Sequence, residues 1–385
     1  MRGFLRRTGG AFADVPDARW HDWQWQVAHR ITRPDELAQL LGLAPATRAA
    51  LMASAAVWPL SVTPYYLDLV DPCDPHDPIL PQILPAAAEL SGAGEPDPFR
   101  EDELTVAPGL VHRYPDRALL VLTNLCATLC RHCMRKRAWQ EPWYALGEGE
   151  LRAALDYIAA HRAIRDVLVS GGDPLNLSPG LLRMVVSGLR AIGHLDLIRI
   201  GSRVPVTLPQ RIDDEMLAAL GSGAPLYLNT HFNHARELTA DATAACARLA
   251  CARIQLGNQA VLLRGVNDTE EALLDLSRAL LRAGVRPYYL HHGDPVQGAT
   301  HFQVPVDEGR ALVRSLYGKV TGMGIPRYVV DLPGGGGKVP VELGFDRGRA
   351  VDDALFESPL LGRVVRVPAA YGHADREPPT PPPVS

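Results

Sequence analysis

The chain has 385 residues, 47% of them hydrophobic and 21% charged, with a formal net charge of −4. This composition supports a large buried core plus an accessory module, and it excludes a basic polyanion-binding surface, so no nucleic-acid partner is expected. No apolar run approaches the roughly 20 residues that span a bilayer, and the basic start Met1-Arg-Gly-Phe-Leu-Arg-Arg lacks the apolar segment of a secretory signal. No membrane partner and a cytoplasmic location are expected.

Residues 1–19 carry little periodicity and read as a flexible N-terminus. From 20 to 110 the pattern is that of an N-terminal helical module, with Thr32-Arg-Pro-Asp-Glu resembling a capped helix start and Asp71-Pro-Cys-Asp-Pro-His-Asp-Pro a stiff turn. Over 111–325, strand-like apolar runs at 118–123, 166–170, 197–201, 226–230, 259–263 and 286–290 alternate with helical patterns such as 148–161 and 270–283. Six β-α units at this spacing predict an α/β fold, a partial (β/α)6 barrel with ligand-binding groups just after each strand. Residues 326–365 form a C-terminal segment around a glycine-lysine loop, and 366–385 read as a Pro-rich disordered tail.

The first strand-like run leads into Thr123-Asn-Leu-Cys126-Ala-Thr-Leu-Cys130-Arg-His-Cys133-Met-Arg135. Three thiolates at this spacing fit three corners of an iron–sulfur cube and leave one iron open to a substrate or cofactor, whereas four would saturate it. The plainer alternatives are a zinc knuckle that recruits His132, or three unrelated buried cysteines. Position on the loop leaving the carboxyl end of a buried strand favours the cluster. Six cysteines in a chain this long are no disulfide framework, and the crowding of half of them into eight positions suits a reducing compartment.

Further strand ends carry Ser170-Gly171-Gly172-Asp173-Pro174, Arg203, Asn229-Thr-His231-Phe-Asn233-His234, Asn258-Gln259 and His291-His292-Gly293-Asp294. The paired glycines would let backbone amides approach a ligand closely. Any one polar strand end reads as structural; the series on one rim predicts a large polar site.

Of 39 Lys plus Arg, only Lys136, Lys319 and Lys338 are lysine, so each retained lysine needs a reason. Lys319 reads as a solvated charge near a helix end. Lys338 closes Asp331-Leu-Pro-Gly334-Gly-Gly-Gly337-Lys338-Val-Pro. A nucleotide phosphate loop would need Ser or Thr where Val339 stands, so that reading fails. A flexible turn remains, as does a lysine that forms a Schiff base with an aldehyde cofactor, for which arginine cannot substitute because it does not lose its proton.

Taken together, these motifs resemble the lysine 2,3-aminomutase family of radical S-adenosylmethionine (SAM), pyridoxal phosphate (PLP)-dependent enzymes. The resemblance runs from Trp20 to Pro340 through Trp20-His-Asp-Trp-Gln-Trp-Gln-Val-Ala-His-Arg, Thr63-Pro-Tyr-Tyr, His112-Arg-Tyr-Pro-Asp-Arg, Cys130-Arg-His-Cys, Leu228-Asn-Thr-His-Phe-Asn-His, Leu256-Gly-Asn-Gln and Pro333-Gly-Gly-Gly-Gly-Lys. It implies a 4Fe–4S cluster on Cys126, Cys130 and Cys133 whose open iron holds SAM, and PLP on Lys338. Gly171, Gly172, Asp173, His231 and Gln259 are then cofactor-binding candidates. So are Arg113 and Arg117 for the PLP phosphate, with an ordinary ion pair to Asp116 as the alternative. Arg135 would hold the substrate carboxylate, and Asp294 with Asp331 the distal ammonium of lysine; two carboxylates suit a cationic side chain. The implied reaction moves the α-amino group of L-lysine to C3, giving L-β-lysine, with a reductant such as flavodoxin or ferredoxin and a homo-oligomeric assembly.

The chain also departs from the family pattern. Some relatives bind zinc through a cysteine after Gly-Val-Asn-Asp and three more near the C-terminus; here Thr269 stands first and no cysteine follows Cys251, so a zinc-stapled interface is not expected. His291 stands where relatives often carry an aromatic residue near PLP. The run Gly293-Asp-Pro-Val-Gln-Gly is similar to that of shorter paralogues that modify a lysine on elongation factor P. Arginine, glutamate, a pathway-specific basic amino acid or a protein lysyl residue are therefore alternative substrates. Outside enzymes, the alternative is a non-enzymatic iron–sulfur protein.

Overall fold

In the computed structural model, which describes residues 12–221, 225–350, 353–360 and 362–367, one sheet carries ten strands side by side in chain order. They are β1 (Thr105–Ala107), β2 (Leu110–Tyr114), β3 (Arg117–Val121), β4 (Asp166–Ser170), β5 (Leu197–Gly201), β6 (Leu226–Thr230), β7 (Gln255–Val261), β8 (Arg286–His291), β9 (Arg327–Leu332) and β10 (Gly337–Pro340). Strands β1 to β3 pair antiparallel, each neighbour from β3 to β9 pairs parallel, and β10 returns antiparallel to β9. A parallel pair needs a crossover, and helices such as Glu148–Ala160, Pro179–Arg190, Ala240–Cys251, Glu270–Arg282 and Val306–Ser315 supply them.

The packing follows from periodicity. Val167 and Val169 of β4, Ile198 and Ile200 of β5, and Leu226 and Leu228 of β6 are buried at alternate positions. Leu182, Val185, Val186 and Leu189 make the one buried face of the helix Pro179–Arg190. Each such side chain contributes about 1.5–3 kcal/mol by leaving water. The helices begin on side-chain caps: Ser178, Asp213, Thr239 and Thr269 accept from backbone amides of their first turns. Thr269 thus has a structural task here.

The sheet differs from its sequence reading in three places. The run at 259–263 belongs to a strand that begins four residues earlier, at Gln255. The stretch 105–114, at the end of the helical module, is strand, with Gly109 at φ +67° turning β1 into β2. The glycine-lysine loop is a hairpin: β9 is a seventh parallel-paired strand, and Pro333 to Gly336 connect it to β10. Gly-rich sequence reads as coil, yet three of these glycines (Gly334, Gly335 and Gly337) take φ between +65° and +87°, which lets the chain double back.

Upstream of the sheet lie the helices Asp17–Trp20, Trp23–Ala28, Pro34–Leu40, Pro45–Ala55 and Pro64–Leu67. The third begins after Arg33 without a side-chain cap, so Thr32 is one residue too early for that role. The turn at 71–78 closes on buried Asp77, which accepts from the amides of Asp71, Ile79 and Leu80 and pairs with Arg236 at 2.7 Å. Residues 1–11 of the expected flexible start, and the Pro-rich tail from 368 on, lie outside the described residues.

The chain divides into two compact units, with the boundary between Val341 and Glu342. The second carries a three-stranded antiparallel sheet that sequence patterning did not disclose: β11 (Asp346–Ala350), β12 (Asp353–Ser358) and β13 (Arg363–Val367). Among the described residues, no helix is long and apolar enough to cross a membrane.

Candidate active site

A cavity of about 980 Å³ opens at the carboxyl ends of the parallel strands, and the cluster, cofactor and substrate candidates named from the sequence line it, whereas Asn229, Asn233, His234, Asn258 and His292 of the polar strand ends do not. Strand β3 leads into the cysteine loop, β4 into Gly171 and Gly172, β6 into His231, and β8 into Asp294. Asp331 lies on β9 itself and Lys338 on β10.

The cysteine loop is held from outside the barrel-like repeat. Ser61 bonds to both sides of it, accepting from the amide of Leu129 at 2.8 Å and donating to the carbonyl of Ala127 at 2.9 Å. Arg131, between Cys130 and Cys133, is buried against Glu89 and donates to the carbonyls of Pro59 at 2.7 Å and Trp58 at 3.4 Å. Lys136 donates to Glu89 at 2.9 Å and to the carbonyl of Gly298 at 2.7 Å; burial pushes it down to about 8. A third bond, to the carbonyl of Arg131 at 3.1 Å, uses the last ammonium hydrogen, so this compact charge with three donors has a structural task here.

Burial pushes the Cys126 thiol well above its ordinary value and Cys133 up to about 11. Arg203, itself buried, donates to Cys130 Sγ at 2.7 Å and is fixed by Glu237 at 2.7 Å, Tyr66 at 2.9 Å and Gln82 at 2.5 Å. Among the described residues, no three His, Cys, Asp or Glu side chains converge as the ligands of one metal ion. His132 Nε2 faces the Asn233 amide at 3.2 Å. The three thiols line the same cavity close enough to act on one another's charge, as the corners of a cube that takes one thiolate per iron require.

Gly171 and Gly172 line the cavity and also allow a close approach within the chain. A Cβ on either would collide with the backbone of Thr123, Asn124 or Leu125, and the Gly172 amide donates to Thr123 at 2.5 Å. They let the end of β4 press against the chain entering the cysteine loop. Asp173 turns inward, accepting from Ser202 at 2.8 Å and from the amides of Arg203 at 2.6 Å and Val204 at 3.0 Å; burial lifts its carboxyl to about 6. Burial pushes His231, beside Gln259, down to about 3, so it is neutral.

The hairpin register sets Lys338 directly across from Asp331. Lys338 Nζ pairs with the Asp331 carboxylate and lies 3.1 Å from His291 Nδ1. Its backbone amide donates to the Tyr114 hydroxyl at 2.8 Å. Burial works to raise Asp331, but His291 and the Lys338 ammonium outweigh it and hold the carboxyl far below the usual range. Burial, and then the charge of Asp331, lift Asp294 to about 7. A lysine amine at a cavity wall, beside the two guanidinium groups that flank Tyr114, fits an aldehyde that carries a phosphate. Arg113 lies 5.4 Å and Arg117 4.6 Å from that ring. Arg113 also donates to the carbonyl of Gly335 at 3.1 Å, and Arg117 makes its ion pair with Asp116 at 2.9 Å.

Glu101 was not singled out from the sequence, yet it meets Arg135 through two parallel bonds: Nε to Oε2 at 2.9 Å and Nη2 to Oε1 at 2.6 Å. The preceding Arg100 takes the left-handed conformation, φ +53°, that turns the chain there. Glu101 follows no motif, and nothing local marks it. His291, one of the polar strand ends and a departure from the family pattern, stands within reach of both Lys338 and Asp331.

The sequence matches the family model described as lysine-2,3-aminomutase over residues 313–345. A putative L-lysine 2,3-aminomutase of Aquifex aeolicus is 45% identical over 92% of this chain and 96% of its own length. The L-lysine 2,3-aminomutase of Clostridium subterminale is 44% identical over 88% and 82%, respectively, and the glutamate 2,3-aminomutase of Clostridioides difficile 40% identical over 84% and 76%. Among solved structures, a radical SAM methyltransferase from Sphaerobacter thermophilus aligns at a TM-score of 0.40 and 18% identity over 57% of this chain and 68% of that one, too loosely to bear on the fold. Because the identity with the named aminomutases extends over most of both sequences, the chain belongs to the lysine 2,3-aminomutase family.

Proposed function

We propose that this chain is a radical SAM, PLP-dependent aminomutase that moves the α-amino group of L-lysine to C3 and yields L-β-lysine. The observation that carries the reading is the single cavity whose wall holds Cys126, Cys130, Cys133 and Lys338 together with Arg135, Asp294 and Asp331. When bound, a 4Fe–4S cluster with SAM supplies a carbon radical able to take hydrogen from C3, and PLP carries the nitrogen as it migrates.

The chain's own residues then do the positioning. Arg135 receives the substrate carboxylate, and Asp294 with Asp331 receives the distal ammonium. Fixing both ends matters because a misplacement of about 1 Å can cost about a hundredfold in rate. A second acidic group in place of the ammonium would face two carboxylates, which speaks against glutamate even though a relative is a glutamate 2,3-aminomutase.

The same reading takes the parallel strands of residues 111–325, extended by β9, as a partial barrel, the helices from 20 on as its helical module, and β9 with β10 as the segment that carries the PLP lysine. It further takes the protein as a cytoplasmic homo-oligomer reduced by a flavodoxin or ferredoxin, since an open cluster with three unpaired thiols needs reducing surroundings.

The test is anaerobic reconstitution with iron, sulfide and PLP. SAM, a reductant and L-lysine, L-arginine, L-glutamate or L-alanine in separate reactions follow, with β-amino acids read by mass spectrometry. β-Lysine as the product is expected. A different β-amino acid would overturn the substrate, and SAM cleavage without any would overturn the aminomutase reading for these substrates.

A further inference from the structure

Three adjacent strands bring three groups together: His291 from β8, Asp331 from β9 and Lys338 from β10. His291 Nδ1 lies 3.1 Å from Lys338 Nζ and 3.5 Å from Asp331 Oδ2. A lysine that is to attack an aldehyde must first shed its ammonium proton. Asp331 does not take that proton, because its own carboxyl is held too far down to accept one near neutrality. The imidazole is the other group within hydrogen-bond reach of Nζ.

We propose that His291 is the proton acceptor for Lys338 and so a catalytic residue in seating the aldehyde cofactor; this rests on the reading that Lys338 carries PLP. In the tautomer with its proton on Nε2, His291 offers the Nδ1 lone pair to the ammonium. The proton passes from Nζ to Nδ1 and leaves a neutral amine. Nζ then bonds the aldehyde carbon, and its two remaining hydrogens leave with the carbonyl oxygen as one water. Asp331, 3.5 Å away, offsets the charge of the imidazolium as it forms.

The surroundings suit the role. Burial, then the neighbouring Lys338 charge, lower His291 below the ordinary imidazole value, so it is neutral and receptive at pH 7. His231, from the end of β6, is also neutral. Tyr289, on the same strand, presents its ring edge-on at 5.6 Å. An aromatic side chain at position 291 could pack against a cofactor but could not take the proton, and that difference can be measured.

The experiment uses the full chain with its cluster reconstituted anaerobically and no SAM or amino acid. PLP is mixed with wild type, His291→Phe, His291→Gln and Lys338→Ala from about pH 5.5 to about 9, bracketing the imidazole range. The readout is the growth of the visible band that PLP gains on condensing with a lysine; borohydride reduction and peptide mass spectrometry then identify which lysine reacted. The wild-type rate should climb through a step below the ordinary imidazole value. Both His291 variants should lose that step and react about a hundredfold more slowly at pH 7, the scale of general-base catalysis, while still labelling Lys338. A His291 variant that keeps the wild-type step and rate overturns the proposal and leaves the PLP reading standing. Label on another lysine, or an unchanged band in Lys338→Ala, overturns the PLP reading and the proposal with it.

Discussion

Arg135 is already engaged in the cavity. Glu101 takes its Nε and one Nη2 hydrogen, so the Nη1 edge is what remains for a carboxylate. A guanidinium held on one edge is fixed in plane and loses little freedom when a second carboxylate arrives. Glu101→Ala should therefore raise KM for lysine about tenfold while kcat stays near wild type, whereas Glu101→Gln, which keeps one acceptor, should fall between, each read from steady-state β-lysine formation. A lower KM in Glu101→Ala would instead mark Glu101 as a competitor for the fork. Lys338→Ala should abolish turnover yet leave iron and sulfide content at wild-type levels, because the cysteine loop does not depend on β10; metal analysis beside the product assay checks this. Lys338 could be read from the sequence because this chain writes arginine almost everywhere. Glu101 could not, because its significance lies in a partner 34 residues away and in the backbone turn at Arg100.

At the scale of elements, the cysteine loop depends on the upstream helices and turns. Glu89 is buried with both Arg131 and Lys136, so its removal leaves two buried cations without their carboxylate. Glu89→Ala should cost about 3–5 kcal/mol in chemical denaturation, the scale for breaking a buried pair. Gly171→Ala should lower the iron content after reconstitution. Its Cβ would meet the Thr123 backbone, and the residue is held at φ +129°, so the cysteine-loop entry must shift. The β-α alternation was legible because it repeats within short windows. Strand β9 and its hairpin were not, since a tetraglycine run carries no apolar period and the pairing of Lys338 with Asp331 follows from register alone.

Across the whole molecule, Asp294 and Asp331, the proposed cation pocket, come from neighbouring strand ends that only the sheet brings together. Asp294, lifted to about 7, contributes stability that is fully present below the ordinary carboxylate range and is lost as pH rises through about 7. Asp294→Asn should accordingly match wild type at about pH 4 and exceed it by a few kcal/mol at about pH 8 in urea midpoints of the protein without PLP; equal midpoints at both would show that the carboxyl titrates no differently folded and unfolded. The sequence alone determined the chemistry available: three thiols at cluster spacing, one lysine set apart from a population of arginines, and polar residues at successive strand ends. Such features are written in spacing and composition, which short stretches of chain carry intact. The tertiary structure decided the partners. Arg203 meets Cys130, Glu101 meets Arg135, Glu89 meets Arg131 and Lys136, and His291 meets Lys338 because sheet register and helix packing close distances that span tens of residues of chain.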